Sequence, residues 1–129
     1  AAAKKNSSKA IHANAVKYVA SELAKCNMDD TSEIFGGAGS VTCESTADAI
    51  VKMLTGSSTP MSDKNPYSTS NNAISEGTTT TTTDADGNET VETTCEEGYT
   101  CMSADGSTIT IATTYDEDES ALSNEVEVE

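Results

Sequence analysis

Four cysteines, one histidine and a few runs of oxygen-bearing side chains are the groups in this chain that could do chemistry. Cys26, Cys43, Cys95 and Cys101 form an even set in an acidic, Ser/Thr-rich chain, which favours an oxidising compartment and two disulfides. Zinc fits poorly, because there is no C-x-x-C pair and His12 stands far from any clustered cysteines. A nucleophile needs a base within hydrogen-bond reach, and His12 lies among lysines, so it reads as a helix-face residue. The 22 acids single out no pair for acid–base work and read as a solvated surface. Asp84-Ala85-Asp86-Gly87-Asn88 alternates oxygen side chains as a calcium loop does. Glu89, however, stands where such a loop needs Gly, and Cys95 where it needs a bidentate Glu. A hairpin turn explains the same letters, so neither metal nor cofactor is expected, and no enzymatic activity.

Other short motifs carry less. Gly36, Gly37 and Gly39 are not followed by Lys-Ser/Thr and no strand leads into them, so they read as a flexible turn and not as a phosphate loop. Asn6-Ser7-Ser8 and Asn88-Glu89-Thr90 match the glycosylation sequon, a match that chance supplies readily in so Ser/Thr-rich a chain.

The elements that must position these groups follow from periodicity. From Ala1 to Lys25 there is no Pro, no Gly and one acid, and Ile11, Ala15, Tyr18, Val19, Leu23 and Cys26 recur at helical spacing. A helix is expected from about Ala2 to Lys25, roughly 35 Å long. It has no N-cap, as if the chain began inside a longer helix whose upstream part was apolar. Its first two turns lack large apolar residues and are expected to project from the globule. Asn27 to Thr42 reads as a loop anchored by Ile34 and Phe35.

A second helix begins at a Ser45 or Thr46 cap, with Asp48 in its first turn and Ala47, Ile50, Val51 and Leu54 on one face. Gly56 is expected to end it in the left-handed conformation. An irregular connector follows to Asn72. Asp-Gly turns then predict two hairpins, Thr78–Thr83 with Glu89–Thr94 and Gly98–Met102 with Ser107–Thr113. Asp116-Glu117-Asp118-Glu119 reads as an acidic turn, and residues 125–129 alternate, which fits either an edge strand or a frayed end.

The order predicts an α+β fold, with a long N-terminal helix packed on a small antiparallel β-sheet and stabilised by disulfides. The expected organisation is one domain over 1–129, with a helical spine at 1–26, a helix-and-loop connector at 27–76, and the sheet with an acidic C-terminal segment at 77–129. Of three connectivities, Cys26–Cys43 would tie the two helices across their loop, and Cys95–Cys101 would close a short reversal at Gly98.

Charge is divided unevenly. Residues 1–26 carry a net +4, whereas residues 27–129, with two lysines against 21 acids, carry −19. An acidic head of that kind repels nucleic acid and anionic lipid, which excludes nucleic-acid binding by this stretch of chain.

A basic helix without a cap, a disulfide, a glycine-bearing loop and then a Thr-rich antiparallel sheet together resemble the soluble part of a type IV pilin or type II secretion pseudopilin. The run from Ala1 to Ala20 is similar to the second half of that family's helical spine. Asn65-Pro66-Tyr67 is similar to a turn found in many such subunits. The resemblance implies a pilin-like roll whose apolar amino-terminal half-helix, absent here, anchors the subunit in the inner membrane before assembly. It implies an extracellular cell-surface filament built from copies of the chain by a pilus or secretion assembly machinery. The candidate subunit-contact helix then carries Lys4, Lys5, Lys9, Ile11 and Lys17. A different class of function, an extracellular binding module or a minor tip pilin or pseudopilin that recognises a ligand, fits the same composition. An upstream prepilin leader would favour the subunit, and an ordinary signal peptide the module.

Overall fold

The computed structural model describes residues 2–56, 59–115 and 122–128. Helix α1 runs over Ala2–Met28 and helix α2 over Ala47–Thr55. Among the described residues eight strands follow: β1 Lys64–Asn65, β2 Ser68–Asn72, β3 Ile74–Glu76, β4 Thr78–Thr83, β5 Glu89–Thr94, β6 Thr100–Asp105, β7 Thr108–Thr113 and β8 Leu122–Glu127. The fold is α+β, as expected, with sheet order β3-β6-β7-β8. Its pairings are antiparallel except β3 with β6, which is parallel. β1 with β2 and β4 with β5 form separate two-stranded ribbons.

Strand alternation explains the layers. Thr100 and Met102 on β6 share one face with Ile109, Ile111 and Thr113 on β7 and Val126 on β8. That face receives both helices. α1 presents Ser8, His12, Ala15, Val19 and Leu23, one residue per turn and all buried, and α2 presents Ile50, Val51 and Leu54. The opposite face carries Cys101 and Ser103, and the β4–β5 ribbon lies against it. Thr93 Oγ1 and Ser103 Oγ are 2.5 Å apart, and the Gly77 N–H donates to the Met102 carbonyl at 2.9 Å. A Cβ on Gly77 would come within 2.5 Å of Thr93 Cγ2 and 3.1 Å of Cys101 Cβ, so any other residue at this crossing would force these side chains to shift.

The predicted hairpin Thr78–Thr83/Glu89–Thr94 forms with its ends in that register, because Gly87 supplies a positive φ in its turn. The second hairpin is tighter than expected, with strand lasting to Asp105 and the turn confined to Gly106 and Ser107. Of the two readings of the C-terminal alternation, the edge strand holds, as β8, and it begins earlier, at Leu122. The acidic turn at 116–119 lies outside the described residues.

Three expectations are corrected. The first turns of α1 do not project. Ser8 is fully buried, Lys4 Nζ lies 5.5 Å from the centre of the Tyr67 ring, and Lys9 Nζ 4.5 Å from that of Tyr115. The head offers aromatic faces on which these lysines settle, so polar letters there mark a contact and not a free end. Gly56 has φ −98°, outside the left-handed region. Glycine serves there because a Cβ would approach the Lys52 carbonyl to 2.9 Å. The connector is not irregular throughout, since Asn65 turns the chain between β1 and β2 by accepting the Tyr67 N–H on Oδ1 at 2.8 Å.

The remaining helix boundaries follow their caps. Thr46 Oγ1 accepts the Ala49 N–H at 3.1 Å, which selects Thr46 over Ser45 as the cap of α2. Ile34 and Phe35 are buried as predicted, and Phe35 holds a left-handed backbone with φ 53°. Glu22 accounts for that strained residue by accepting the Phe35 N–H on Oε1 at 2.6 Å. Burial pushes the Glu22 carboxyl up, but the Lys25 ammonium at 2.8 Å and the Phe35 N–H outweigh it and hold the group below its usual range.

Candidate functional site

The outward side of α1 is a regular surface that no part of the described head covers. Ala3, Asn6, Ala10, Ala13, Lys17, Ala20, Ala24 and Asn27 are all exposed. They are spaced alternately by three and four residues, which draws one seam along the helix opposite its buried face. α1 has 27 residues and is therefore roughly 40 Å long. Alanine at most seam positions lets a neighbouring helix approach closely.

The lysines singled out from sequence divide between surfaces. Lys17 stands on the seam, and Lys4 and Lys9 are solvent-facing but spread over Tyr67 and Tyr115 of the same chain. Lys5 is half-buried, and Ile11 packs half-buried against the core.

Cys26 and Cys43 are bonded, with Cα atoms 5.6 Å apart, and join the end of α1 to the approach of α2. Closing a loop of this length stabilises by about 3 kcal/mol in the chain-entropy account. The second expected bridge is absent. Cys95 and Cys101 are both thiols in a cleft of about 320 Å³, where Cys95 Sγ donates to the Tyr99 carbonyl at 3.2 Å and the Ala112 carbonyl at 3.5 Å. The short spacing across Gly98 brings the two sulfurs together as predicted, but spacing fixes proximity and not oxidation state.

His12 is buried, which the lysines around it conceal in the sequence. Its Nε2 donates to Asn124 Oδ1 at 2.7 Å, and its Nδ1 is 2.8 Å from Thr113 Oγ1, which donates to Thr100 Oγ1 at 2.9 Å. Both ring nitrogens are occupied, so the residue fastens α1 to β7 and β8 and is not presented to a substrate. Replacing His12 by Ala leaves Thr113 and Asn124 without this partner and is expected to cost about 2 kcal/mol in a urea melt. A loss below about 0.5 kcal/mol would remove the network from the account of stability.

The Asp84 loop spends its carboxylate on its own turn. Asp84 Oδ1 accepts the N–H of Asn88 and of Asp86, each at 2.9 Å. The Asn88 N–H, foremost, holds that carboxyl below its usual range. Among the described residues no cluster of three or more His, Cys, Asp and Glu could hold a metal. Thermal melts in calcium and in chelator are expected to coincide, and a shift of several degrees would show a site.

Among the described residues no helix is long and apolar enough to cross a membrane. Compared with protein-family models, curated proteins and solved structures, the chain matches none.

Proposed function

We propose that this chain is a structural subunit of an extracellular type IV pilus-like filament and assembles through its N-terminal helix. The observation that carries the reading is the exposed seam on α1, small-residue at most positions and continuous from Ala3 to Asn27. Any surface helix exposes positions at this spacing and gains propensity from alanine there, and helices bundled along an axis additionally need small residues where they approach. Charge supports the same arrangement. A helix of net +4 attracts neighbouring segments of net −19, while the acidic surfaces of like heads repel one another and prevent heads from stacking alone. In this reading the fold is a pilin-like roll. The partners are further copies of the chain and the assembly machinery that handles them, and the role is structural and not catalytic.

The test uses the complete gene product in its own cell. Filaments sheared from the surface are expected to contain this chain as a repeating component, with α1 on the inside in an image reconstruction. Recovery of the chain only as a dispersed monomer, or in filaments with α1 facing solvent, would overturn the proposal.

A further inference from the structure

The thiol pair on the outer face of the sheet is placed for chemistry that the filament reading does not use. Cys95 follows the end of β5, Cys101 lies within β6, and Glu96 to Thr100 reverse the chain between them. Both cysteines line the cleft, Cys95 half-buried and Cys101 only 2% exposed. Ser75, Thr78, Thr94 and Tyr99 help form the walls, and Glu76 and Glu96 supply carboxylates. Cys95 is therefore the more accessible of the two to a small molecule, and Cys101 lies deeper in the same cleft.

We propose that Cys95 and Cys101 form a thiol–disulfide exchange site, with Cys95 attacking and Cys101 resolving, that accepts small cationic or neutral disulfides through this cleft. In the first step the Cys95 thiolate attacks one sulfur of a disulfide RSSR. A Cys95–SR bond forms, the S–S bond of RSSR breaks, and RS⁻ leaves with the electron pair and takes a proton from water. In the second step Cys101 gives up its proton to water and attacks Cys95 Sγ, expelling a second RS⁻. Two protein thiols are oxidised to one disulfide, and RSSR is reduced to two thiols. Closure staples the base of the β4–β5 ribbon to β6 at the centre of the sheet.

The groups around the sulfurs set these roles. The Cys101 thiol foremost, together with donors from Thr114 and the Cys101 N–H, outweighs the effect of burial and brings the Cys95 thiol down to about 7. The same pairing, with burial and the Glu96 charge, pushes Cys101 up. Attack should thus quicken as pH rises through about 7, where Cys95 loses its proton, with Glu76, Glu96 and Tyr99 the other titratable groups lining the cleft. The same donors stabilise the reduced state and make Cys95 a good leaving group, so the closed pair reopens before Cys26–Cys43 does.

The test starts from folded protein treated with mild reductant and then alkylated and mapped by peptide mass. The expected result is label on Cys95, slower label on Cys101, and an intact Cys26–Cys43 bond. Cystamine added to the reduced protein should close Cys95–Cys101. It should do so about tenfold faster than oxidised glutathione at low salt, since carboxylates at the cleft repel the anionic disulfide. Replacing Glu76 and Glu96 by Gln should narrow that ratio, and Cys101→Ser should trap cysteamine on Cys95. Equal labelling of the two thiols, simultaneous opening of both bonds, or a Cys95 that stays free in cystamine would overturn the assignment.

Discussion

Replacing Gly98 by Ala is expected to cost about 4 kcal/mol, a large share of the total stability of a domain this size. Gly98 has φ 85°, a left-handed backbone that an alanine adopts only at a cost of roughly 1 kcal/mol. The greater part comes from what the new methyl would meet. A Cβ at this position falls onto Asn65 Oδ1 and within 2.8 Å of Tyr67 Cδ2. Asn65 cannot simply move aside. It is 1% exposed, it accepts the Tyr67 N–H, and its Nδ2 donates to the Glu97 carbonyl at 3.2 Å.

Displacing Asn65 therefore strands buried polar groups on both the β1–β2 turn and the β5–β6 reversal. Thermal unfolding should fall by more than about 10 °C, at roughly 3–5 °C per kcal/mol for a chain of this length. An Asn65→Gly background, which removes the obstructing side chain, should make the Gly98→Ala change markedly less costly. Equal costs in the two backgrounds, or a single-variant loss below about 1 kcal/mol, would show that the close packing of these two loops is not what requires glycine.

That contact also marks how far the sequence can be read. Asn65 and Gly98 each announce a turn from local chemistry, but nothing in either segment says that the two turns are stacked. The same division holds elsewhere. The face of α1 is legible because Ala15, Val19 and Leu23 repeat with the helix, and the β4–β5 register is legible because its Asp-Gly turn leaves one pairing. β3 is hidden, because three residues pairing in parallel with β6 carry no periodicity of their own.

Long-range polar partners are hidden for the same reason. His12 reads as one more polar residue among lysines until Thr113 and Asn124, more than a hundred residues away, are brought beneath it. Lys4 and Lys9 mislead in the same way, since a lysine that covers a tyrosine ring is written with the same letter as one in water. For the cysteines, chain spacing predicts both neighbourhoods. The bonded state of one pair and the open state of the other depend on hydrogen bonds and access that spacing does not encode.

Placing glutamate at both Ala13 and Ala20 is expected to abolish filament assembly by the complete gene product while leaving the fold intact. Both residues are exposed on the α1 seam, so neither change removes a core contact. Exchanging alanine for glutamate in a helix costs a few tenths of a kcal/mol per site, and a glutamate at 13 can pair with Lys17 one turn later. The separate chain should therefore melt within about 1 kcal/mol of the parent and stay monomeric in sedimentation, as the parent should. Along a packed helical axis the outcome differs. Each new carboxylate would replace a methyl at the closest approach of two helices and leave a desolvated charge repeated in every subunit. Breaking such packing with an uncompensated charge costs several kcal/mol per contact, enough to reduce sheared filament yield by orders of magnitude. Thr80→Glu, on an exposed strand of the ribbon, is the control and should assemble normally. Normal filament yield from the Ala13/Ala20 variant, or an equal loss from the Thr80 control, would separate the seam from assembly and favour a ligand-binding module instead.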